Sequence, residues 1–159
     1  GEISGYGTTA DAHHPTAARP DGEGAQRAMR LALAMARLPP GAVDYINAHA
    51  TSTPIGDASE LAAIKAVFDD GRSPAISSTK SSSGHLLGAA GVFEVIMTLL
   101  ALRDGMLPPN LNLTDPDDMA AGLDLVGPTA RRFDAQVALS NAFGFGGVNA
   151  SIVLQRWNN

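Results

Sequence analysis

Cysteine is absent from this 159-residue chain, which excludes a disulfide framework and any thiolate metal site. The redox compartment stays open, and a cytoplasmic protein is the simplest expectation. Basic residues are also scarce: eleven Lys and Arg stand against sixteen Asp and Glu, for a net charge of -5. They are scattered, with Arg131-Arg132 the only adjacent pair. Phosphate binding needs clustered basic side chains, so no nucleic-acid partner is expected. The most apolar run, residues 86–102, is broken by Glu94 and rich in Gly and Ala, which argues against a membrane span. The start, Gly1-Glu2-Ile3, has neither the basic region nor the apolar run of a signal peptide. It has no initiating Met and opens straight into a strand-like run, residues 2–7. Domains usually begin in exposed polar segments, so a piece of a longer polypeptide is expected. Internal repeats and low-complexity tracts are missing too.

What is present is a globular composition, 45% hydrophobic and 17% charged, sized for one domain with a sizeable core. After the opening strand, a polar stretch over 8–23 reads as a long loop. The spacing of Ala28, Met29, Ala32, Leu33 and Ala36 predicts a helix over 24–37, ended by Pro39-Pro40-Gly41. A short strand follows at 43–48. Thr53-Pro54 then opens a helix with Leu61, Ile64 and Phe68 on one face. Residues 75–78 form another strand. The run 86–102 reads as a helix buried on all sides, capped by Gly105 and stopped by Pro108-Pro109. Residues 123–126 read as a strand, and 136–141 with 148–155 as an antiparallel pair. Strands alternating with helices, closed by a terminal antiparallel hairpin, give an α/β fold with a mixed sheet.

Two histidines stand in small-residue frames, Asn47-Ala48-His49-Ala50-Thr51-Ser52-Thr53 and Lys80-Ser81-Ser82-Ser83-Gly84-His85. Both follow a strand-like run, where α/β proteins present their catalytic groups. Two neutral imidazoles can donate hydrogen bonds to a carbonyl oxygen that gains negative charge, which points to acyl chemistry. Small neighbours let a substrate approach the backbone. Thr51 and Thr53 would share a face in an extended segment, either to bind a polar substrate arm or, for Thr53, to cap a helix. Glu94 on an apolar helix needs a partner or a cation, and Lys80 is the candidate, catalytic or purely structural. Phe143-Gly144-Phe145-Gly146-Gly147 is either a mobile gate or a glycine-rich turn with Phe in the core. Adjacent His13 and His14 point to opposite sides of an extended chain and lack a third ligand, so they read as loop. Residues 112–118 read as a solvated connection and not a calcium loop.

Three long segments close the case for a resemblance. They run from Asn47 through Asp57, from Ser78 through Gly91, and from Ser140 through Asn149. In that order they resemble the C-terminal half of β-ketoacyl-[acyl-carrier-protein] synthases, of the type II fatty acid elongation kind. The resemblance implies half of a thiolase-like, five-layered αβαβα fold, spanning 1–159, in an enzyme that is usually a homodimer. It implies an acyltransferase of fatty acid biosynthesis, in which acyl carrier protein loads an acyl group onto a cysteine. Malonyl-carrier protein then loses CO2, and the carbanion attacks the acyl-cysteine. By the same resemblance, His49 and His85 stabilise the thioester enolate, and Lys80 organises the site with Glu94 and Asp57 in support. Thr51 and Thr53 bind the phosphopantetheine arm carried by the substrate. Phe145 is the gate over the nucleophile, on the loop with Phe143 and Gly144, and residues 11–16 are a second loop at the pocket entrance. No cofactor is implied, but some relatives hold a structural Na+ or K+, for which Asn47, Glu94, Ser140 and Asn141 are the matching positions.

Two departures stand out. Ala50 replaces the Gly of many relatives, which one methyl survives if the backbone there is not left-handed. The nucleophilic cysteine is missing and is expected in an N-terminal half, as is most of the surface that docks the carrier. Alone, this polypeptide is expected to be inactive and to expose an apolar face. The alternatives are a polyketide ketosynthase, or a non-catalytic chain-length factor that shapes a pocket without performing chemistry.

Overall fold

The structure, a computed structural model, describes residues 1–69 and 71–157. In chain order the strands are β1 (Glu2–Ala10), β2 (Tyr45–Asn47), β3 (Ala75–Ser77), β4 (Met106–Leu107), β5 (Asp124–Leu125), β6 (Arg131–Arg132), β7 (Val137–Gly144) and β8 (Val148–Gln155). The helices are α1 (Glu23–Ala36), α2 (Pro54–Val67), α3 (Lys80–Ser83) and α4 (Ala90–Asp104). One mixed sheet takes the order β1-β8-β7-β2-β3-β5. Its β7, β2, β3 and β5 run parallel, while β8 is antiparallel to both β7 and β1. β4 and β6 form a small antiparallel pair beside it.

Side-chain alternation sorts the strands between two cores. Ile46, Ile76, Leu139 and Val153 face α1 and α2, packing with Met29, Leu33, Ile64 and Val67. Their neighbours Tyr45, Ala75, Ala138 and Leu154 face the other way, with Ala101, Leu102 and Leu107 from α4 and β4. The α1 helix lies directly on β1 because that strand offers glycine at the contact. A Cβ on Gly5 or Gly7 would stand 2.1 Å from the carbonyl oxygen of Ala32 or Ala28 respectively.

The terminal hairpin, the Gly105 cap and the alternation of strands and helices match the sequence. Several boundaries do not. β1 continues to Ala10, into the stretch read as loop, because residues 5–10 pair in register with β8. The strands expected at 43–48 and 123–126 shrink to Tyr45–Asn47 and Asp124–Leu125. The helix expected over 86–102 begins at Ala90, after a 3-10 turn at Leu87–Ala89. It is also not buried on all sides. Glu94, Thr98, Ala101 and Leu102 face the sheet, whereas Val92 is 69% and Ile96 50% exposed. An all-round apolar helix is expected where layers cover both its sides, and in this chain the sheet covers one side only.

Candidate functional site

β2 ends at Asn47, and the ladder continues one step further as Ala48 N–H donates to Ser77 O at 2.8 Å. His49 is the next residue. Its loop is fixed from below by Glu60, which projects from the inner face of α2 and is buried. Glu60 Oε1 accepts from the His49 N–H at 3.0 Å, and Oε2 accepts from the Ala50 N–H at 2.8 Å. Asn141 Nδ2, from β7, donates to Oε1 at 3.1 Å. Burial pushes the Glu60 carboxyl above its ordinary range, and these donors pull it back. Sequence reading missed Glu60. Its signal was available: it lies four residues before Ile64, on the stripe of α2 that faces the core.

His85 reaches the same point by a different route. Instead of following β3 directly, it comes after the single turn α3 and Gly84. The two imidazoles meet edge to face, with ring centroids 5.5 Å apart and planes at 86°. Phe143 flanks His49 at 6.0 Å. Burial, then the charge of Lys80, then His85 lower the His49 pKa to about 3, so its ring is neutral at physiological pH. His85 is exposed, and its Nδ1 accepts the Leu87 N–H at 3.2 Å. The neutral ring therefore carries its proton on Nε2, free to donate. Leu87 holds a left-handed backbone, φ 52°, to aim that N–H.

Lys80 and Glu94 form a buried ion pair through Nζ and Oε1, with side chains 5% and 2% exposed. Burial raises the Glu94 pKa, and Lys80 opposes the rise. Glu94 Oε2 is buried without a hydrogen-bond partner. Asn47, Ser140 and Asn141 are buried on the adjacent strands β2 and β7, where Asn47 pairs with Ser140. Asn47 Nδ2 donates to Glu94 O at 3.2 Å and to Thr98 Oγ1 at 3.1 Å. Asn47 and Ser140 thus face α4 and the unmatched Glu94 oxygen, a place where a monovalent cation could be held. The Asn141 side chain instead lies on the other face of the sheet, bonded to Glu60 and Ser151. Asp57 belongs elsewhere than the Lys80 network: its Oδ1 accepts the Ser52 N–H at 3.1 Å, closing the turn that carries the threonines.

Thr51 and Thr53 do share a face, with hydroxyls 3.2 Å apart. Thr53 occupies the N-cap of α2 but makes no side-chain cap bond, which leaves its hydroxyl to Thr51. The left-handed residue of this loop is Ser52, φ 61°, and not Ala50, so the Ala50 methyl fits. A cavity of about 350 Å³ lies between the start of α2 and the segment around Asn110, lined by Ala50, Thr53, Asp57, Leu61, Ser78 and Asn110 among others, and neither histidine lines it.

β7 and β8 join through a 3-10 turn at Phe145–Gly147. Phe143 packs against the core, whereas Phe145 is 81% exposed. The turn is tied to the loop after β1. Asp11 N–H donates to Gly147 O at 2.9 Å, Gly146 N–H to Pro15 O at 2.7 Å, and Asn149 Nδ2 to Asp11 Oδ1 at 2.7 Å. His14 Nδ1 accepts the Thr16 and Ala17 N–H groups, at 3.2 and 3.1 Å, which closes that loop on itself. Among the described residues, no group of three or more His, Cys, Asp or Glu is arranged to hold a metal, and no helix is long and apolar enough to cross a membrane.

Comparison with known proteins agrees with this layout. Residues 1–114 match the family described as beta-ketoacyl synthase, C-terminal domain. The chain is similar to 3-oxoacyl-[acyl-carrier-protein] synthase 1 of Haemophilus influenzae, 49% identical over 157 residues, covering 99% of this chain and 37% of that protein. A crystal structure of a beta-ketoacyl synthase from Burkholderia phymatum superposes with a TM-score of 0.92 at 40% identity, covering 98% of this chain and 37% of that one. A type II polyketide synthase complex, of an acyl-carrier protein with its ketosynthase bound to the hexaketide, superposes at 0.93 with 31% identity, covering 98% and 38%. The chain thus spans little more than a third of the length of these relatives, and over that third it has the thiolase-like α/β fold of the ketosynthases. It belongs to the β-ketoacyl synthase family, as that family's C-terminal domain.

Proposed function

We propose that this chain is the histidine-bearing part of a β-ketoacyl-acyl carrier protein synthase of fatty acid elongation. The observation that carries the reading is the meeting of His49 and His85 at 5.5 Å. His49 is held neutral, and His85 is fixed as the tautomer that donates through Nε2.

When malonyl thioester loses CO2, the electron pair of the breaking C–C bond moves onto the thioester and charges its oxygen. Two uncharged N–H donors converging there stabilise that oxygen more than they stabilise the ground-state carbonyl. The enolate carbon then attacks the acyl group on the cysteine, forming the new C–C bond and releasing thiolate. The cysteine comes from an N-terminal half beyond this chain, which alone forms no acyl-enzyme. The exposed apolar residues Leu86, Leu87, Val92 and Ile96 support a companion half packed over α4. Lys80 sets the field around His49, and Thr51 with Thr53 offers paired hydroxyls to the phosphopantetheine arm of the carrier. Acyl carrier protein is the partner, as it is for the ketosynthase of the polyketide complex. A Na+ or K+ would be held by Asn47, Glu94 and Ser140, where its charge would offset the unmatched Glu94 oxygen; the Asn141 side chain, engaged by Glu60 and Ser151, is turned away from that place. The assembled enzyme is read as a cytoplasmic homodimer.

A non-catalytic chain-length factor would have no use for two matched imidazoles over a buried lysine. The test is His85→Ala in the full-length enzyme, offered acyl-carrier protein and malonyl-carrier protein separately. Acyl transfer to the cysteine is expected to persist while CO2 release is lost. Undiminished CO2 release removes His85 from this role and the reading with it.

A further inference from the structure

One side chain outside the histidine motifs ties both of them to the sheet. Asn110, on the connection between β4 and β5, inserts its amide at the carboxyl end of β3. Its Oδ1 accepts the Ser78 N–H at 2.8 Å, while its Nδ2 donates to Ile76 O at 3.2 Å and Val126 O at 2.8 Å. The parallel ladder of β3 with β5 ends where Val126 N–H donates to Ile76 O at 2.9 Å. Beyond that point the Asn110 side chain continues it. The Asn110 backbone is fixed in turn, its N–H donating to Gly127 O at 3.0 Å.

Ser78 is the junction between the two catalytic segments. Its hydroxyl donates to Ala50 O at 3.3 Å, on the residue after His49. Its carbonyl accepts the Ser81 hydroxyl at 3.0 Å, across the turn that holds Lys80. Ser81 Oγ also accepts the Leu111 N–H at 3.0 Å, so residues either side of Lys80 are clamped to the Asn110 segment. An amide suits this place because it offers one acceptor and two donors at a single group. A carboxylate would face two carbonyl oxygens, and an aliphatic side chain would leave the Ser78 N–H and the Val126 carbonyl unmet, while Ile76 O kept its bond from the Val126 N–H.

We propose that Asn110 is a positioning residue for the paired imidazoles, acting through Ser78 to fix the His49 loop against the Lys80–His85 segment. The inference rests on the decarboxylating role assigned above. Its experiment uses the full-length enzyme as wild type, Asn110→Ala, Ser78→Ala and the double variant. Transfer of an acyl group to the cysteine and CO2 release from malonyl-carrier protein are followed separately.

Displacing a catalytic group by about 1 Å costs on the order of a hundredfold in rate. Asn110→Ala is therefore expected to lower kcat for CO2 release by about ten- to a hundredfold. Acyl transfer and the KM for malonyl-carrier protein should stay within about twofold, a split that simple loss of folded enzyme does not produce. The double variant should lose little more than the worse single one, because both changes act at one junction. If Asn110→Ala does not fold, Ser78→Ala, which removes the hydroxyl bond to Ala50 O and keeps the Asn110 bonds to backbone, should show the same split. Equal loss of both half-reactions, fully multiplicative losses in the double variant, or unchanged CO2 release overturns the assignment. A wild-type enzyme that takes up acyl groups but releases no CO2 defeats the parent reading instead.

Discussion

Glu60 holds the peptide that carries His49, its two carboxylate oxygens accepting the N–H of His49 and of the residue after it at 3.0 and 2.8 Å. A buried carboxylate used this way locks both backbone groups that set where the imidazole leaves the chain. Replacing it with Gln leaves one acceptor and turns an amide N–H2 toward a backbone donor. Bonds to a charged group are worth about 1.5–3 kcal/mol each. Glu60→Gln in the full-length enzyme should lower stability by about 1–3 kcal/mol in chemical denaturation. It should also slow CO2 release more than acyl transfer. Wild-type stability in this variant would show that the carboxylate does not secure the loop.

The Lys80–Glu94 pair makes a second test. Both side chains are almost wholly buried, so neither charge is rescued by water when its partner goes. Lys80→Met should cost about 3–5 kcal/mol, since it strands Glu94 in the core. The double variant Lys80→Met, Glu94→Leu should recover much of that loss, because removing both charges also removes their desolvation. A double variant no more stable than Lys80→Met would point to packing rather than charge as the source of the loss.

Much of this architecture was legible because it repeats local rules. The apolar stripe of α1, the Pro54 start of α2, the Gly105 stop of α4 and the β7–β8 hairpin are all written within a few residues. The pairing of His49 with His85 was expected as chemistry, and Lys80 with Glu94 as charge balance. What escaped was non-local. β1 is a strand as far as Ala10 only because β8, about 140 residues later, offers it a partner. Asp57 looked like a third charge for Lys80, but its oxygen was claimed by the turn five residues back. Glu60 and Asn110 bond almost wholly to backbone groups, which leave no mark on sequence pattern. The exposed face of α4 followed the same logic in reverse, since periodicity cannot tell which layer a helix will find.

The buried, neutral His49 makes stability depend on pH in a defined window. Unfolded, its imidazole takes up a proton near pH 6.5; folded, it refuses one until about pH 3. Between those values the unfolded chain binds the extra proton, so the contribution of His49 to stability falls as pH falls from about 6.5 toward 3. Above 6.5 the contribution is constant. His49→Gln should remove this slope, so the stability difference between wild type and variant should shrink steadily with acidification. Denaturation midpoints measured across pH 4–8 check it, and a pH-independent difference would mean that the ring is protonated in the folded enzyme as readily as in the unfolded chain.

The turn at Phe145–Gly147 is anchored on one side by Asp11. Gly147 sits at φ 74°, and a Cβ there would meet Asp11 Cβ at 3.0 Å and Asp11 N at 3.2 Å. Gly147→Ala therefore carries two burdens, the left-handed backbone, about 1–2 kcal/mol for an L side chain, and displacement of the Asp11 loop. Asp11→Ala keeps the Asp11 N–H bond to Gly147 but deletes the acceptor of Asn149 Nδ2. Both variants should loosen residues 144–147 while leaving the His49–His85 pair in place, because that pair is fixed by Glu60, Leu87 and β2 instead. Faster hydrogen exchange confined to 11–16 and 144–149 is the expected signature in the full-length enzyme, strongest in Gly147→Ala. If exchange at 144–149 is unchanged in Asp11→Ala, the Asn149 bond does not couple the two loops, and the backbone bonds of Gly146 and Gly147 hold them together without it.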